Sequence, residues 1–210
     1  MIIPISEIFL SIQGEWKNTW KPSVFVRFRW CNLKCERCDS KYSRQDIADK
    51  KNMNLTEVIN KIRWFSCKHI VFTWWEPALF ENIIKQIVWQ LFFDWYTYEI
   101  ETNWFKKLEL DHLYSQVNVS YKLSSSWNKP YELKALSDRY DYKFVIDTEE
   151  DMLEMEAIIN KYNLKNIYIM PLWVSSDTQN RPDIIKYCIE KWYNYCQRLH
   201  ILLFWNSKWC

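Results

Sequence analysis

Val24-Phe25-Val26-Arg27-Phe28-Arg29-Trp30-Cys31-Asn32-Leu33-Lys34-Cys35-Glu36-Arg37-Cys38 sets an apolar run almost directly against three cysteines in eight residues. The run Val24 to Phe28 reads as a strand, preceded by a turn-like Lys17 to Pro22 and an alternating strand from Ile5 to Ile12. A loop with thiols at this spacing can wrap an iron–sulfur cluster, and three ligands leave one iron open to a substrate or cofactor. On spacing alone, a zinc site or three unrelated thiols competes with that reading. The remaining cysteines, Cys67, Cys188, Cys196 and Cys210, offer no second CxxC pair, which weakens a zinc ribbon.

Outward from the cysteines, β-rich and helical segments alternate. Strands are expected at His69 to Thr73, Tyr96 to Glu101, Gln116 to Lys122, Tyr142 to Ile146, Ile167 to Met170 and Leu199 to Phe204. Helices are expected at Leu55 to Trp64, Leu79 to Phe93, Tyr131 to Ser137, Glu149 to Tyr162 and Pro182 to Lys191. Such alternation implies βα crossovers around a parallel sheet. Six or so units make an α/β fold with a curved, incomplete TIM-like β/α barrel, its ligands at the carboxyl ends of the strands. The length, 210 residues, suits one domain spanning 1–210.

The charge balance, net +2, favours neither a nucleic-acid partner nor an acidic tail. No apolar run suits a membrane span and the opening residues lack a signal-peptide pattern, so a cytosolic protein is expected. Seven cysteines in that compartment read as thiols or metal ligands.

One glycine and fourteen tryptophans are out of proportion. At the usual glycine frequency the length calls for about fifteen. Trp16, Trp20, Trp205 and Trp209 stand where turns favour a residue without a side chain. The expectation is that most of these positions are glycine in the natural protein, as when a UGA codon that the organism reads as glycine is translated as tryptophan.

The CxxxCxxC pattern after a first strand resembles the radical S-adenosylmethionine superfamily. Thr73-Trp74-Trp75-Glu76-Pro77 is similar to its Thr-Gly-Gly-Glu-Pro, with glycine at Trp74 and Trp75. The resemblance implies a 4Fe-4S cluster on Cys31, Cys35 and Cys38, with S-adenosylmethionine on the open iron. Reductive cleavage of the sulfonium then starts hydrogen abstraction from substrate. Two indoles at Trp74 and Trp75 would fill the space that the cofactor's methionyl amine needs.

Further motifs narrow the family: Ser11-Ile12-Gln13-Gly14-Glu15-Trp16, Phe25 to Leu33, Cys38-Asp39-Ser40, Glu101-Thr102-Asn103-Trp104, Val119-Ser120-Tyr121-Lys122, Met170-Pro171-Leu172-Trp173, Arg198-Leu199-His200 and Trp205-Asn206. With glycine at Trp16 and Trp30 they resemble the 7-carboxy-7-deazaguanine synthases. That resemblance implies conversion of 6-carboxy-5,6,7,8-tetrahydropterin to 7-carboxy-7-deazaguanine with loss of ammonia, on the route to queuosine. It places Ile12, Gln13, Gly14, Arg27, Thr102 and, through the terminal carboxylate, Cys210 at the pterin. Arg37, Cys38, Asp39, Trp74, Trp75, Glu76, Trp104, Ser120, Tyr121 and Lys122 are placed at S-adenosylmethionine, and Ser40 at Mg2+. It also implies a homodimer and an external one-electron reductant of flavodoxin or ferredoxin type, and Tyr121 departs from the family's usual proline.

Plainer readings stand beside these. Arg27 reads as a surface charge if its neighbours are ignored, Glu76 and Glu81 as carboxylates at helix starts, His200 as a packed histidine, and Ser124 to Ser126 as a polar turn. Two other functions share the cysteine pattern: an activating enzyme for a glycyl-radical partner, and a non-catalytic metal-binding module, the fate of a chain whose indoles are real. The Gln13-Gly14-Glu15 entry and the late Arg-Leu-His segment favour the small-molecule enzyme.

Overall fold

The computed structural model describes residues 2–36, 38, 52–104, 106–126, 131–133, 136–172 and 180–204. Nine strands form one open sheet: β1 (Ile2–Ile12), β2 (Pro22–Phe28), β3 (Asn52–Asn54), β4 (His69–Thr73), β5 (Thr97–Thr102), β6 (Gln116–Ser120), β7 (Tyr140–Ile146), β8 (Ile167–Pro171) and β9 (Asn194–Tyr195). Their order is β3-β1-β2-β4-β5-β6-β7-β8-β9. From β2 to β9 every neighbour is parallel, while β1 runs antiparallel to both β2 and β3. The expected incomplete barrel is therefore present, its edges left unjoined.

Local chemistry starts and stops the helices. Asn54 and Glu57 form a capping box at α1 (Leu55–Trp64), as Thr148 and Asp151 do at α3 (Glu149–Tyr162). Pro182 opens α4 (Pro182–Lys191), and left-handed residues end α3 at Asn163 and α4 at Trp192. The second expected helix begins later: a 3-10 turn over Pro77–Phe80 precedes α2 (Glu81–Gln90).

Three expectations change. Leu199–Phe204 is a short helix, α5, and not a strand; a brief apolar run fits either form, and here the backbone N–H of Leu199 donates to Gly14 O (3.0 Å) instead of joining the sheet. No helix forms at 131–133 or 136–137, where Tyr131 instead stacks on Tyr121 with ring centroids 4.7 Å apart. The sixth strand stops at Ser120.

Strand alternation gives the sheet two faces of opposite character. Ile70, Phe72, Ile100, Val117, Val119, Phe144 and Ile169 point to the helices and pack with Ile62, Ile84, Ile87, Met155 and Ile184 in one buried core. The residues between them, His69, Thr73, Glu99, Gln116, Asn118, Asp141 and Lys143, are buried polar groups on the other face. Over that polar face lies the β1–β2 turn, tied by Gln13 and Asn18 to Glu99 and by Glu15 to Lys143. No described helix is long and apolar enough to cross a membrane.

Candidate active site

The cysteine loop leaves β2 at Phe28 and crosses the carboxyl ends of the neighbouring strands. Glu76 N–H donates to Trp30 O (3.0 Å) and Glu36 N–H to Ser126 O (3.1 Å), pinning the loop to the segments after β4 and β6. Cys31, Cys35 and Cys38 are free thiols, with Cys35 buried. The Leu33 N–H points at Cys31 Sγ (3.3 Å), and Asn103 Nδ2 lies 3.8 Å from it. Burial pushes the Cys31 thiol up to about 11 against the Leu33 N–H, with the Glu76 and Cys35 charges adding to the rise. Among the described residues no three His, Cys, Asp or Glu side chains converge tightly enough to hold a metal ion. Cys31 and Cys35 do lie within electrostatic reach of each other, and hydrogen-bond donors aimed at a sulfur suit an iron–sulfur ligand.

Glu76 follows β4 and is fully buried. It caps the 77–80 turn through Ala78 N–H (3.0 Å), as its plainer reading expects, and also accepts from Thr102 Oγ1 (2.5 Å) and Asn103 N–H (2.7 Å). Burial raises its carboxyl to about 7 despite those three donors, and Lys122 is near enough to oppose the rise. Lys122 Nζ donates to Ser120 Oγ (2.7 Å), and Tyr131 OH bridges to Asn103 O (2.7 Å) while accepting from Lys122 N–H (3.2 Å). Cys31, Glu76, Thr102, Asn103, Ser120, Tyr121 and Lys122 thus form one contact network at the ends of β2, β4, β5 and β6. Glu81, read only as a helix-start carboxylate, additionally accepts from the Glu109 (3.1 Å) and Leu110 (2.7 Å) N–H groups.

Most of the tryptophans, in this network and elsewhere, hold unusual backbone. Of the ten among the described residues, seven have positive φ: Trp16, Trp20, Trp74, Trp75, Trp95, Trp104 and Trp192. Bulky residues rarely adopt that region, which is where glycine is at ease. Among the described residues the buried indole N–H groups of Trp16 and Trp104 find no hydrogen-bond partner, whereas buried Trp N–H groups usually have one. The Trp74 ring lies against the Arg27 guanidinium, 4.1 Å from centroid to Cζ. Three thiols have the donor chemistry of a cluster although they do not converge here, and Trp74, Trp75 and Trp104 beside them hold left-handed backbone that glycine would adopt with more room to spare at the strand ends.

Of the residues expected at the substrate, Gln13 and Gly14 are buried and Ile12 is half-buried at the end of β1. A Cβ on Gly14 would meet His200 Nδ1 at 2.9 Å and His200 N at 3.2 Å, so glycine lets α5 close against this turn. Arg27 pairs with Glu7 (2.7 Å) and lies under the Phe9 ring, so it is a half-buried, partnered cation and no loose surface charge. The Thr102 hydroxyl turns away from Gln13 toward Glu76. Arg37, Asp39, Ser40 and Cys210 lie outside the described residues.

Sequence reading missed Glu99, Asn118 and Lys143 on the polar face, and quoted Glu101 and Arg198 within motifs without assigning them a role. The signal was available: Tyr98-Glu99-Ile100-Glu101 alternates, and a charge at every second position of a strand otherwise apolar marks a polar buried face. Lys143 is buried beside Glu15, whose charge holds the ammonium above its usual range against burial. Glu15 in turn stays below the usual carboxylate range although burial opposes it, because Lys143, Arg198 and His200 surround it.

No family model matches the chain. The 7-carboxy-7-deazaguanine synthase of Haemophilus influenzae is 34% identical over 167 residues, 80% of this chain and 74% of the relative. That of Halobacterium salinarum is 28% identical over 239 residues, covering 98% and 91%. QueE from Escherichia coli superposes with a TM-score of 0.75 over 95% of both chains at 21% identity, a likeness of fold. The chain belongs to the 7-carboxy-7-deazaguanine synthase family.

Proposed function

We propose that this enzyme converts 6-carboxy-5,6,7,8-tetrahydropterin to 7-carboxy-7-deazaguanine with loss of ammonia, acting as one domain. The observation that carries the reading is the network joining the Cys31 loop, Glu76, Asn103 and Lys122 at the carboxyl ends of four adjacent strands, in a chain of this family. Cys31, Cys35 and Cys38 would hold the 4Fe-4S cluster. Together with S-adenosylmethionine, the cluster supplies the hydrogen-atom abstraction that begins the ring contraction. The protein's part is to bind, orient and shield. Glu76 offers a buried carboxylate to the cofactor's amine, with Ser120, Tyr121 and Lys122 alongside. Arg27 presents a guanidinium to the substrate carboxylate, an arrangement lysine would not reproduce. Gln13, Gly14 and the α5 contact close the pterin side from water.

The working enzyme, in this reading, has glycine at most of the fourteen tryptophan positions, above all 74, 75 and 104, since left-handed backbone there needs no strain once the side chain is gone. Mg2+ at Ser40, a homodimer, a flavodoxin- or ferredoxin-type reductant, cytosolic residence and the terminal carboxylate of Cys210 at the substrate complete the proposal on family resemblance alone.

The test is anaerobic reconstitution of the glycine-bearing protein. It should take up about four irons per chain, form 5′-deoxyadenosine and turn over the pterin, and Cys35→Ala should abolish all three. Zinc uptake, or UGG codons at positions 74 and 75 of the gene, would overturn the reading.

A further inference from the structure

Two carboxylates stand two residues apart on β5, facing the polar side of the sheet, and their surroundings differ. Glu99 is saturated. Its Oε1 accepts from Gln13 Nε2 (2.6 Å) and Asn118 Nδ2 (2.6 Å), and its Oε2 accepts from Asn18 Nδ2 (2.6 Å) and lies 3.2 Å from His69 Nε2. A fully buried carboxylate with that many partners is a strut between the β1–β2 turn and the sheet.

Glu101 lies one step nearer the carboxyl end of β5 and is only partly buried. Among the described residues it accepts from two neutral donors, the Thr73 hydroxyl and Gln13 Nε2 (3.1 Å). An ionised carboxylate offers about four lone-pair positions, so Glu101 keeps acceptor capacity at the level of the strand ends. Lys143, the cation that opposes its raised carboxyl, is itself paired with Glu15. Strand pairing sets the rest of the frame. Arg27 on β2 is in register with Thr73 on β4, and the Thr73 hydroxyl reaches Glu101 on β5. A guanidinium and a carboxylate therefore sit on one face, two strands apart, a span of roughly 10 Å.

We propose that Glu101 is a specificity-determining residue of the substrate site, accepting hydrogen bonds from the 2-amino and ring N–H edge of a 2-amino-4-oxopteridine whose carboxylate lies toward Arg27. The proposal rests on the pterin reading above. A carboxylate matches two adjacent N–H donors as it matches a guanidinium, with both oxygens engaged. In a site closed to water, a ligand lacking one of those donors leaves the carboxylate facing an acceptor, which makes the discrimination steep.

The experiment is a fluorescence titration of the reconstituted, glycine-bearing enzyme without reductant, so that nothing turns over. The probes are 6-carboxypterin and 6-carboxylumazine, which carries a carbonyl in place of the 2-amino group. The parent should bind the pterin about 10–100-fold more tightly than the lumazine. Glu101→Gln should bring that ratio to near one or reverse it, because an amide can donate to the carbonyl. A folded Glu101→Gln protein that keeps the parent's ratio overturns the proposal. Should that variant fail to fold, Glu101→Asp carries the test: weaker pterin binding with the preference retained supports the role, and unchanged affinity overturns it. A parent that binds neither probe refutes the pterin reading itself and this proposal with it, whereas a parent that binds and discriminates separates the two.

Discussion

Trp192 offers the cleanest measure of what the left-handed tryptophans cost. It ends α4 with φ 60° and ψ 36° and is 94% exposed, so almost no packing offsets its backbone. The end is a Schellman arrangement: Tyr193 N–H returns to Cys188 O (2.9 Å) around a left-handed residue, the place where glycine is most favoured. Left-handed backbone costs a residue with a side chain roughly 1–2 kcal/mol. Glycine loses about 0.5–1 kcal/mol more chain entropy on folding. The difference predicts that Trp192→Gly stabilises the protein by about 0.5–1 kcal/mol, or roughly 1–4 °C in melting temperature for a chain of this size. Trp89 supplies the opposite sign. It is also exposed, but it lies within α2 with no positive φ, so Trp89→Gly should destabilise by about 0.5 kcal/mol through helix propensity alone. Thermal and urea unfolding of the two variants beside the parent decides the matter. If Trp192→Gly is neutral or destabilising, or if both changes move stability the same way, the reasoning from backbone conformation to glycine is wrong.

Glu101 should make the fold pH-sensitive. Burial and the charges of Glu15 and Glu99 outweigh Lys143 and the Thr73 hydrogen bond, raising its carboxyl from 4.5 to about 7. The folded state therefore holds this proton more tightly than the unfolded one, and stability is lost as pH rises from about 4.5 through 7, by up to about 3 kcal/mol. Urea unfolding at pH 5 and pH 8 should show that loss in the parent and less of it in Glu101→Gln; equal losses would contradict the assignment. Gly14→Ala places a methyl against the His200 backbone nitrogen, so it should cost about 1–3 kcal/mol and expose the α5 amides to hydrogen exchange ahead of the sheet. Unchanged protection at residues 199–204 would count against that contact.

The parallel sheet, the cysteine loop at its strand ends and most helices are legible in the sequence because their signals are local: β-rich runs, capping residues and a fixed cysteine spacing. Leu199–Phe204 is not, since a short, mostly apolar run fits a strand or a helix equally and its first N–H is taken by Gly14, far away in the chain. The cofactor side of the site is named by contiguous motifs, Thr73 to Pro77 and Glu101 to Trp104. The proposed substrate side draws on single residues of several strands and the β1–β2 turn, and no one window of sequence contains it. Lys143 is the clearest case. On its own strand it alternates with Asp141, which marks a polar face, but its ion-pair partner is Glu15, 128 residues earlier.

Glu101 and Thr102 show how one strand serves both sides at once. Adjacent residues of a strand point to opposite faces, so the Glu101 side chain meets Gln13 and Thr73 while the Thr102 hydroxyl meets Glu76. The substrate side and the cofactor side are thereby fixed relative to each other by a single peptide link, with no flexible element between them. A one-residue slip in the pairing of β5 would exchange the two side chains, putting a hydroxyl where the proposed pterin contact needs a carboxylate and a second carboxylate against buried Glu76. The β4–β5 register, in which Phe72 pairs with Ile100 between two apolar rows, resists that slip because it would also turn Tyr98 and Ile100 out of the core. Core packing on the helix-facing side of β5 thus holds the polar geometry on its other side, and substitutions such as Ile100→Thr should loosen substrate discrimination without touching a ligand.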